Sequence, residues 1–122
     1  MLVAVYGTLK TGENNYERFL SGKRPSWSGF VEIPYAMYAN GAYPMLVPAP
    51  SGSRIFVEVF EVDESKAREL DALEAPYDYW RESVHIREWG QWGKDVEIYV
   101  HAAPPPEGFA AVPSGNWKSK TG

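Results

Sequence analysis

The stretch VAVYGTLKTG, residues 3–12, combines a strand pattern with a loop that contains two glycines. Its apolar start predicts a buried β-strand over Leu2–Tyr6 that ends at Gly7. A strand that enters such a loop can leave successive backbone N–H groups unpaired and directed at one point, where they bind an anion. The alternative is a tight turn needed only for packing. Lys10–Gly12 is predicted to be no more than the exit turn.

Outward from this strand, the sequence predicts a mixture of strands and helices. The predicted elements are a short helix over Glu13–Leu20, short strands bent by turns over residues 28–47, a loop at Pro48–Ser53, a strand over Arg54–Val62, and a hairpin of Arg81–Trp89 and Asp95–His101 around Gly90–Gly93. Because strands and helices do not alternate regularly, the pattern favours an α+β domain over a doubly wound sheet. Neither an internal repeat nor a domain boundary is evident, so residues 1–122 are interpreted as one domain.

The clearest predicted helix is Glu64–Glu74, and its ends carry the expected signals. Asp63 is a suitable N-cap because its carboxylate can accept from the first free backbone N–H groups. Pro76 biases Ala75 away from helical geometry, which predicts that the helix ends there.

One carboxylate of this acidic helix is directed inward. At about 100° per residue, Ala67, Leu70 and Leu73 mark the apolar side, and Glu74 lies between the directions of the first two. The helix dipole and burial both disfavour its negative charge, so its pKa is predicted to rise toward the range useful for general acid and base catalysis. Two alternatives remain, in which Glu74 pairs with Arg81 or frays into solvent beyond the last turn.

Composition excludes several classes of function. With a net charge of −4 and no basic run, the 122-residue chain is not expected to bind nucleic acid. The absence of cysteine excludes disulfides, thiolate catalysis and cysteine zinc sites. No apolar run approaches the roughly 18 residues of a membrane helix, so we expect no membrane partner and a cytoplasmic location.

The sequence argues against a phosphate-binding loop and against a histidine metal site. The spacing of Gly7 and Gly12 matches that of a phosphate loop, but Glu13 and Asn14 occupy the places where Lys and Ser or Thr must contact phosphate and magnesium. His85 and His101 lie in strand patterns without neighbours at metal-ligand spacing, which favours structural or solvent-facing roles and predicts no metal site.

Several short segments together resemble the γ-glutamylcyclotransferase-like family. They are Tyr6–Leu9 (YGTL), Val57–Val62 (VEVFEV), Leu70–Glu74 (LDALE) and Tyr79–Arg81 (YWR) before a strand, with Gly41–Pro44 (GAYP) and Ser114–Trp117 (SGNW) as further landmarks. No single segment is decisive, but their order and spacing span most of the chain. The resemblance implies an α+β fold built on a small mixed β-barrel flanked by helices.

The resemblance also implies a reaction and a site. A small γ-glutamyl amide is cleaved when its own α-amine attacks the γ-carbonyl, which yields 5-oxoproline and a free amine or amino acid without a metal or cofactor. Glu74 is then the catalytic acid and base, and the protein is expected to be a monomer or weak homodimer. The implied substrate-binding residues are Tyr6, Gly7, Thr8 and Leu9, with Tyr43 as a wall or hydrogen-bonding residue and Arg81 as a residue that orients Glu74 or only pairs with it.

The sequence leaves several choices open. The loop amides bind either the reaction's oxyanion or the substrate's α-carboxylate. Ala75–Pro76 stands where family members often have glycine after the catalytic Glu, which puts the choice of substrate in doubt. Two other functions remain: a non-catalytic module that binds a small ligand or a protein in the same cavity, and a related cyclisation that removes a γ-glutamyl group from a larger molecule.

Overall fold

The computed structural model describes residues 1–119 as one mixed sheet with two α-helices on it. The elements are β1 (Leu2–Val5), α1 (Tyr16–Leu20), β2 (Trp27–Ala39), β3 (Pro44–Glu61), α2 (Glu64–Glu74), a 3₁₀ turn (Ala75–Tyr77), β4 (Trp80–Ile86), β5 (Lys94–Val100) and β6 (Ala110–Ala111). The strand order is β4-β5-β1-β3-β2-β6, with β1 parallel to β5 and every other pair antiparallel. The predicted α+β class with a mixed sheet is confirmed.

The predicted barrel is wrong, because the described strands form an open sheet. The outer strands are β4 and β6, and no backbone ladder joins them within residues 1–119. Strand β6 covers only the end of β2, and side chains bridge the gap between the rest of β2 and β4. The Glu88 carboxylate accepts from the backbone N–H of Glu32 at 3.0 Å, and Trp27 stacks on Trp89 with ring centroids 5.7 Å apart.

Alternation along β1 builds two apolar cores, one on each face of the sheet. Ala4 belongs to the core that the curled sheet encloses, together with apolar side chains of β2, β3, β4 and β5. Val3 and Val5 belong to the second core, where Leu20 of α1 and Leu70 of α2 cover the outer face. The central strand therefore holds both helices in place against the sheet, and its end lies beside the end of α2.

The local predictions for α2 are largely confirmed. Glu64–Glu74 is helical, and the Asp63 carboxylate accepts from the Lys66 N–H at 2.7 Å. Ala75 nevertheless keeps helical geometry, with φ −55° and ψ −41°. The chain continues into the 3₁₀ turn and leaves it only at Asp78, whose φ is +63°. Pro76 is tolerated there because the start of a helical turn needs no N–H from it.

Two other local predictions need correction. Pro48–Ser53 is not a separate loop: it belongs to β3, where four residues face the single residue Pro34 across the ladder and form a wide bulge. Likewise, residues 28–47 form most of the long strand β2, a turn and the start of β3 rather than several short strands, because β2 continues past the bulge. The predicted first helix is also shorter than expected and spans only Tyr16–Leu20.

Candidate active site

A cavity of about 240 Å³ opens where the end of β1 meets the end of α2. Its wall includes the loop after β1, the turn after β2, the 3₁₀ turn and one residue of β5. Five of its lining side chains are tyrosines, namely Tyr6, Tyr43, Tyr77, Tyr79 and Tyr99. Among the lining residues, Glu74 is the one that carries an ionisable carboxylate, and neither Lys, Arg nor His lines this part of the described chain. The cavity is thus a mostly uncharged chamber with one acid.

The loop after β1 presents backbone donors to this chamber. Gly7, Thr8 and Leu9 all line the cavity, and within residues 1–119 their N–H groups donate to no protein acceptor. The loop is nevertheless held firmly, since Lys10 N–H donates to the Gly7 carbonyl at 3.0 Å and Asn15 N–H donates to the Thr8 carbonyl at 2.8 Å. A fixed loop with free donors fits an anion better than a turn that only packs.

Gly7 is required by a neighbour within the protein. A Cβ at this position would lie 2.7 Å from Cγ and 2.8 Å from Cδ of Pro44, which real Cβ atoms do not tolerate. The absence of a side chain therefore lets the first loop pack against the turn that carries Tyr43. The same absence leaves the Gly7 amide uncovered toward the cavity.

Glu74 lies at the end of α2 and lines the cavity, as its helical position predicts. Burial raises its pKa to about 7. No hydrogen bond or ion pair in the described part of the chain reaches its carboxylate, so nothing offsets the loss of water. A carboxyl with a pKa near neutrality can exchange a proton in both directions at physiological pH.

Burial is the main cause of the raised pKa values of three cavity tyrosines, and the charge of Glu74 adds to each: Tyr6, Tyr79 and Tyr99. Each hydroxyl proton is directed elsewhere. Tyr6 donates to the Tyr99 carbonyl at 2.7 Å, Tyr79 to the Pro44 carbonyl at 2.9 Å, and Tyr99 to Asp71 Oδ1 at 2.6 Å. None of these three hydroxyls therefore donates to the Glu74 carboxylate, so none of them offsets the burial that raises its pKa.

Arg81 does not pair with Glu74, and it does not line the cavity. Its Nε lies 2.8 Å from Asp71 Oδ1, its Nη2 donates to Asp71 Oδ2 at 3.0 Å, and its Nη1 is 3.9 Å from a Glu97 oxygen. The expected contact between Arg81 and Glu74 is thus replaced by a two-point ion pair one turn earlier on α2. Arg81 has no direct place in the candidate site.

Tyr43 lies in the cavity wall as predicted, within a group of aromatic rings. Its ring centroid is 5.0 Å from that of Tyr77, 6.5 Å from that of Tyr79 and 5.6 Å from that of Phe109, all edge to face. The 3₁₀ turn formed by Ala75–Tyr77 brings Tyr77 to this group. The turn that follows Glu74 therefore contributes Tyr77 to the cavity wall.

Sequence reasoning missed Asn15, Asp71 and Tyr99. The Asn15 amide donates to Thr8 Oγ1 at 2.9 Å and so fixes the threonine beside the free amides. Asp71 and Tyr99 come from α2 and β5, so only the register of two distant elements brings them together. An Asp three residues before Glu74 on the same helix was the one available signal, because residues three apart share a helix face.

Lys10 was also misjudged as part of a simple exit turn. Its side chain is 5% exposed, and its ammonium donates to Asn116 Oδ1 at 3.1 Å and to the Trp117 carbonyl. Lys10 thereby fixes the C-terminal segment against the first loop. In the same segment a Cβ at Gly115 would lie 1.8 Å from the Arg54 carbonyl oxygen, so a glycine is required there.

Neither histidine lines the cavity. His85 Nδ1 lies 2.6 Å from Asp95 Oδ1 across the β4–β5 hairpin, and His101 packs edge to face on Tyr79. Within residues 1–119, no group of three His, Asp or Glu side chains is arranged to hold a metal. In the same residues, no helix is both long and apolar enough to cross a membrane.

Comparison with known proteins assigns this arrangement to a family. The model of the family described as gamma-glutamyl cyclotransferase, AIG2-like, matches residues 3–119. The chain belongs to the AIG2-like gamma-glutamyl cyclotransferase family. A gamma-glutamylaminecyclotransferase from Bos taurus is 39% identical over 114 residues, which cover 86% of this chain and 68% of that protein. A relative from Methanocaldococcus jannaschii is 34% identical and covers 98% of both chains.

Solved structures agree with this membership. An AIG2-like protein from Mus musculus matches with a TM-score of 0.72 at 25% identity, over 98% of this chain and 88% of that one. A protein from Pyrococcus horikoshii matches with a TM-score of 0.74 at 24% identity, over 95% of this chain and 88% of that one. The open mixed sheet with its two helices is thus the fold of AIG2-like proteins.

Proposed function

We propose that this member of the AIG2-like gamma-glutamyl cyclotransferase family cleaves a small γ-glutamyl amide by cyclisation and releases 5-oxoproline with a free amine or amino acid. The observation that carries the proposal is the pairing, in one cavity, of an unpartnered Glu74 with the free amides of Gly7, Thr8 and Leu9. The reaction requires both an acid and base near neutral pH and a binding site for an oxygen anion. The relative from Bos taurus carries the name of such an enzyme.

The first step needs a base. At neutral pH the substrate's α-amine is largely an ammonium ion, which has no free electron pair for attack. Glu74, whose pKa is about 7, takes this proton. The neutral nitrogen then attacks the γ-carbonyl carbon of the same molecule, and a five-membered ring with a tetrahedral centre forms.

The second step needs electrostatic stabilisation and an acid. The γ-carbonyl oxygen becomes an oxyanion, for which one preorganised N–H donor contributes about 3 kcal/mol. When the tetrahedral centre collapses, the bond to the leaving nitrogen breaks and that nitrogen takes the proton held by Glu74. The ring nitrogen still carries two protons after its attack, and it gives one of them to the released amine, which leaves as an ammonium ion. No water is consumed, and the Glu74 carboxylate returns to its starting state.

The loop amides serve one of two anions in this scheme. They bind either the oxyanion or the substrate's α-carboxylate, which is present in every γ-glutamyl compound with a free amino acid end. Binding of the α-carboxylate is the favoured role of the loop amides, because neither Lys nor Arg lines this cavity in the described chain to bind that carboxylate instead. Tyr6 and Tyr43 are assigned to the wall that encloses the γ-glutamyl group.

The test is mass-spectrometric detection of 5-oxoproline with a panel of γ-glutamyl amines and γ-glutamyl amino acids. Two sets of control substrates match the panel: α-glutamyl isomers, which have no γ-amide, and N-acetylated γ-glutamyl compounds, which have no free amine. We expect product from the panel and none from either control set. Saturable binding without product from any panel member would replace the proposal with a non-catalytic binding module.

Substrate length separates the remaining alternative. A cavity of about 240 Å³ suits a small γ-glutamyl compound. Turnover restricted to γ-glutamyl groups on larger molecules would favour a role in their modification. Cytoplasmic location and a monomeric or weakly dimeric state stay predictions.

A further inference from the structure

Asp71 lies one helical turn before Glu74 on α2 and binds two side chains from other elements. Its Oδ1 accepts from the Tyr99 hydroxyl at 2.6 Å and lies 2.8 Å from Arg81 Nε, and its Oδ2 accepts from Arg81 Nη2 at 3.0 Å. Both oxygens are therefore used, in a planar two-point pair with the guanidinium. This arrangement fixes the Asp71 carboxylate and balances its charge close to the cavity.

Tyr99 connects this ion pair with the candidate active site. It is 4% exposed, and it lines the same cavity as Glu74. Burial is the main cause of its raised pKa, the hydrogen bond to Asp71 and the charge of Asp71 add to it, and the charge of Glu74 adds a smaller part. The Tyr99 hydroxyl is thus within electrostatic reach of two carboxylates, those of Asp71 and Glu74. A hydroxyl can donate one hydrogen bond, and here Asp71 accepts it.

Among the three hydroxyls whose pKa values respond to Glu74, only that of Tyr99 depends on a side chain for its acceptor. Tyr6 and Tyr79 donate to backbone carbonyls, which the fold itself holds in place. A substitution at Asp71 therefore releases the phenolic proton of a residue that lines the same cavity as Glu74, and it leaves the other two hydroxyls where they are. The remaining cavity tyrosines, Tyr43 and Tyr77, pack on each other and on the ring of Tyr79.

We propose that Asp71 is a positioning residue for the cyclotransferase reaction: it holds the Tyr99 hydroxyl away from Glu74 and so leaves the Glu74 carboxylate free to take the substrate's proton. The consequence for turnover rests on the proposed function. Arg81 supports this role by balancing the Asp71 charge, which would otherwise disfavour a second carboxylate one turn away. A hydroxyl donated to Glu74 would stabilise its ionised form and make it a weaker base.

The direct test measures the pKa of Glu74 by ¹³C NMR titration of its side-chain carboxyl carbon in the substrate-free protein. The main variant combines Asp71→Leu with Arg81→Met, which removes the half-buried ion pair without changing the net charge near Glu74. We expect the pKa of Glu74 to fall by about one to two units, the equivalent of one hydrogen bond to a charged group. Addition of Tyr99→Phe to this variant is expected to restore the original value.

A second ion pair on the same helix provides the matched control. Arg68 and Glu64 lie 3.4 Å apart with side chains that are 68% and 83% exposed. Their joint replacement, Glu64→Gln with Arg68→Met, removes an ion pair from α2 without touching Tyr99 or the cavity. The pKa of Glu74 is expected to stay unchanged in this control.

Two results would overturn the proposal. One is an unchanged pKa of Glu74 after the Asp71 and Arg81 replacements, and the other is a lowered pKa that persists when Tyr99→Phe is added. Tyr99→Phe in the otherwise unchanged protein gives a test that does not depend on the stability of the double variant. There the pKa of Glu74 is expected to stay the same, and a rise would mean that the hydroxyl already donates to Glu74.

Kinetics links the effect to the reaction. If the pKa falls as expected, the low-pH limb of kcat/KM, which reports the free enzyme, moves down by the same amount in the Asp71 and Arg81 variant, and Tyr99→Phe restores it. A lowered pKa without this movement would contradict a role of Asp71 in turnover. Failure of the wild-type protein to form 5-oxoproline would instead reject the proposed function, while the NMR comparison decides the hydrogen bond separately.

Discussion

Lys10 is buried and Glu74 is half-buried, and of these two charged groups only Lys10 has hydrogen-bond partners within residues 1–119. The Lys10 ammonium donates to Asn116 and to the Trp117 carbonyl, and it lies 5.6 Å from the centroid of the Phe56 ring. The Glu74 carboxylate has none of these compensations among residues 1–119, and burial alone sets its pKa near 7. Burial also lowers the pKa of Lys10, but nearby Glu13 and Glu58 oppose that shift.

The difference separates a structural charge from a reactive one. A buried charge with hydrogen-bond partners cross-links the elements that supply them, whereas a buried charge without partners costs free energy and stays available to a ligand. Lys10 accordingly joins the first loop to the C-terminal segment. Glu74 faces a cavity in which a substrate ammonium would be its first partner.

The largest expected effect comes from removal of the reactive charge. Glu74→Gln keeps the size of the side chain but cannot accept the substrate's proton, so kcat should fall by about 10² to 10⁴-fold. Steady-state kinetics of 5-oxoproline formation measures the loss, and circular dichroism establishes that the variant is folded. Turnover close to that of the wild type would remove Glu74 from the role of base.

The same substitution should stabilise the protein at neutral pH. The pKa of Glu74 is about 7 in the folded protein and near its ordinary value of 4.5 in the unfolded chain. Between these values the folded state binds more protons, so the free energy of unfolding falls as the pH rises, by up to about 3 kcal/mol in total. Glu74→Gln has no carboxyl to ionise, so it does not lose this stability as the pH rises.

Urea denaturation at pH 5 and pH 8 checks this expectation. The difference in stability between Glu74→Gln and the wild-type protein should grow from pH 5 to pH 8 in favour of the variant. A difference that is the same at both pH values would mean that the fold does not raise the pKa of Glu74.

Removal of the structural charge should act in the opposite direction. Lys10→Met leaves the Trp117 carbonyl and the Asn116 side chain without their donor, which is expected to lower the free energy of unfolding by about 2 kcal/mol. Chemical denaturation measures this loss. A variant as stable as the wild type would show that the contacts of Lys10 contribute little to the fold.

A smaller change tests one half of the same contact. Asn116→Ala removes one acceptor of Lys10 and leaves the Trp117 carbonyl, so we expect a loss of about 1 kcal/mol. The double variant with Lys10→Met should lose less free energy of unfolding than the two single variants lose together, because both substitutions remove the same hydrogen bond. Strict additivity in denaturation experiments would contradict a direct contact.

The sequence predicts Glu74 and the first loop for a clear physical reason. The direction of Glu74 follows from the period of one helix, and the loop follows from an apolar strand that ends at Gly7. Both are local patterns, so neither depends on how distant parts of the chain pair. The N-cap at Asp63 was predictable on the same basis.

The features that the sequence did not predict depend on tertiary register. Lys10 meets Asn116 across 106 positions of the chain, and Asp71 meets Tyr99 across 28. The open edge of the sheet likewise depends on how far β2 curls toward β4. The wide bulge in β3 was mistaken for a loop because its Pro, Ser and Gly residues are typical of both.

The pH dependence of kcat for 5-oxoproline formation tests the central claim most directly. If the unpartnered carboxylate of Glu74 is the base, kcat should rise with pH through an apparent pKa in the substrate complex, and the free-enzyme limb of kcat/KM should lie near 7. That limb should vanish in Glu74→Gln together with most of the activity. A limb near 4.5, or one that persists unchanged in the variant, would contradict the account.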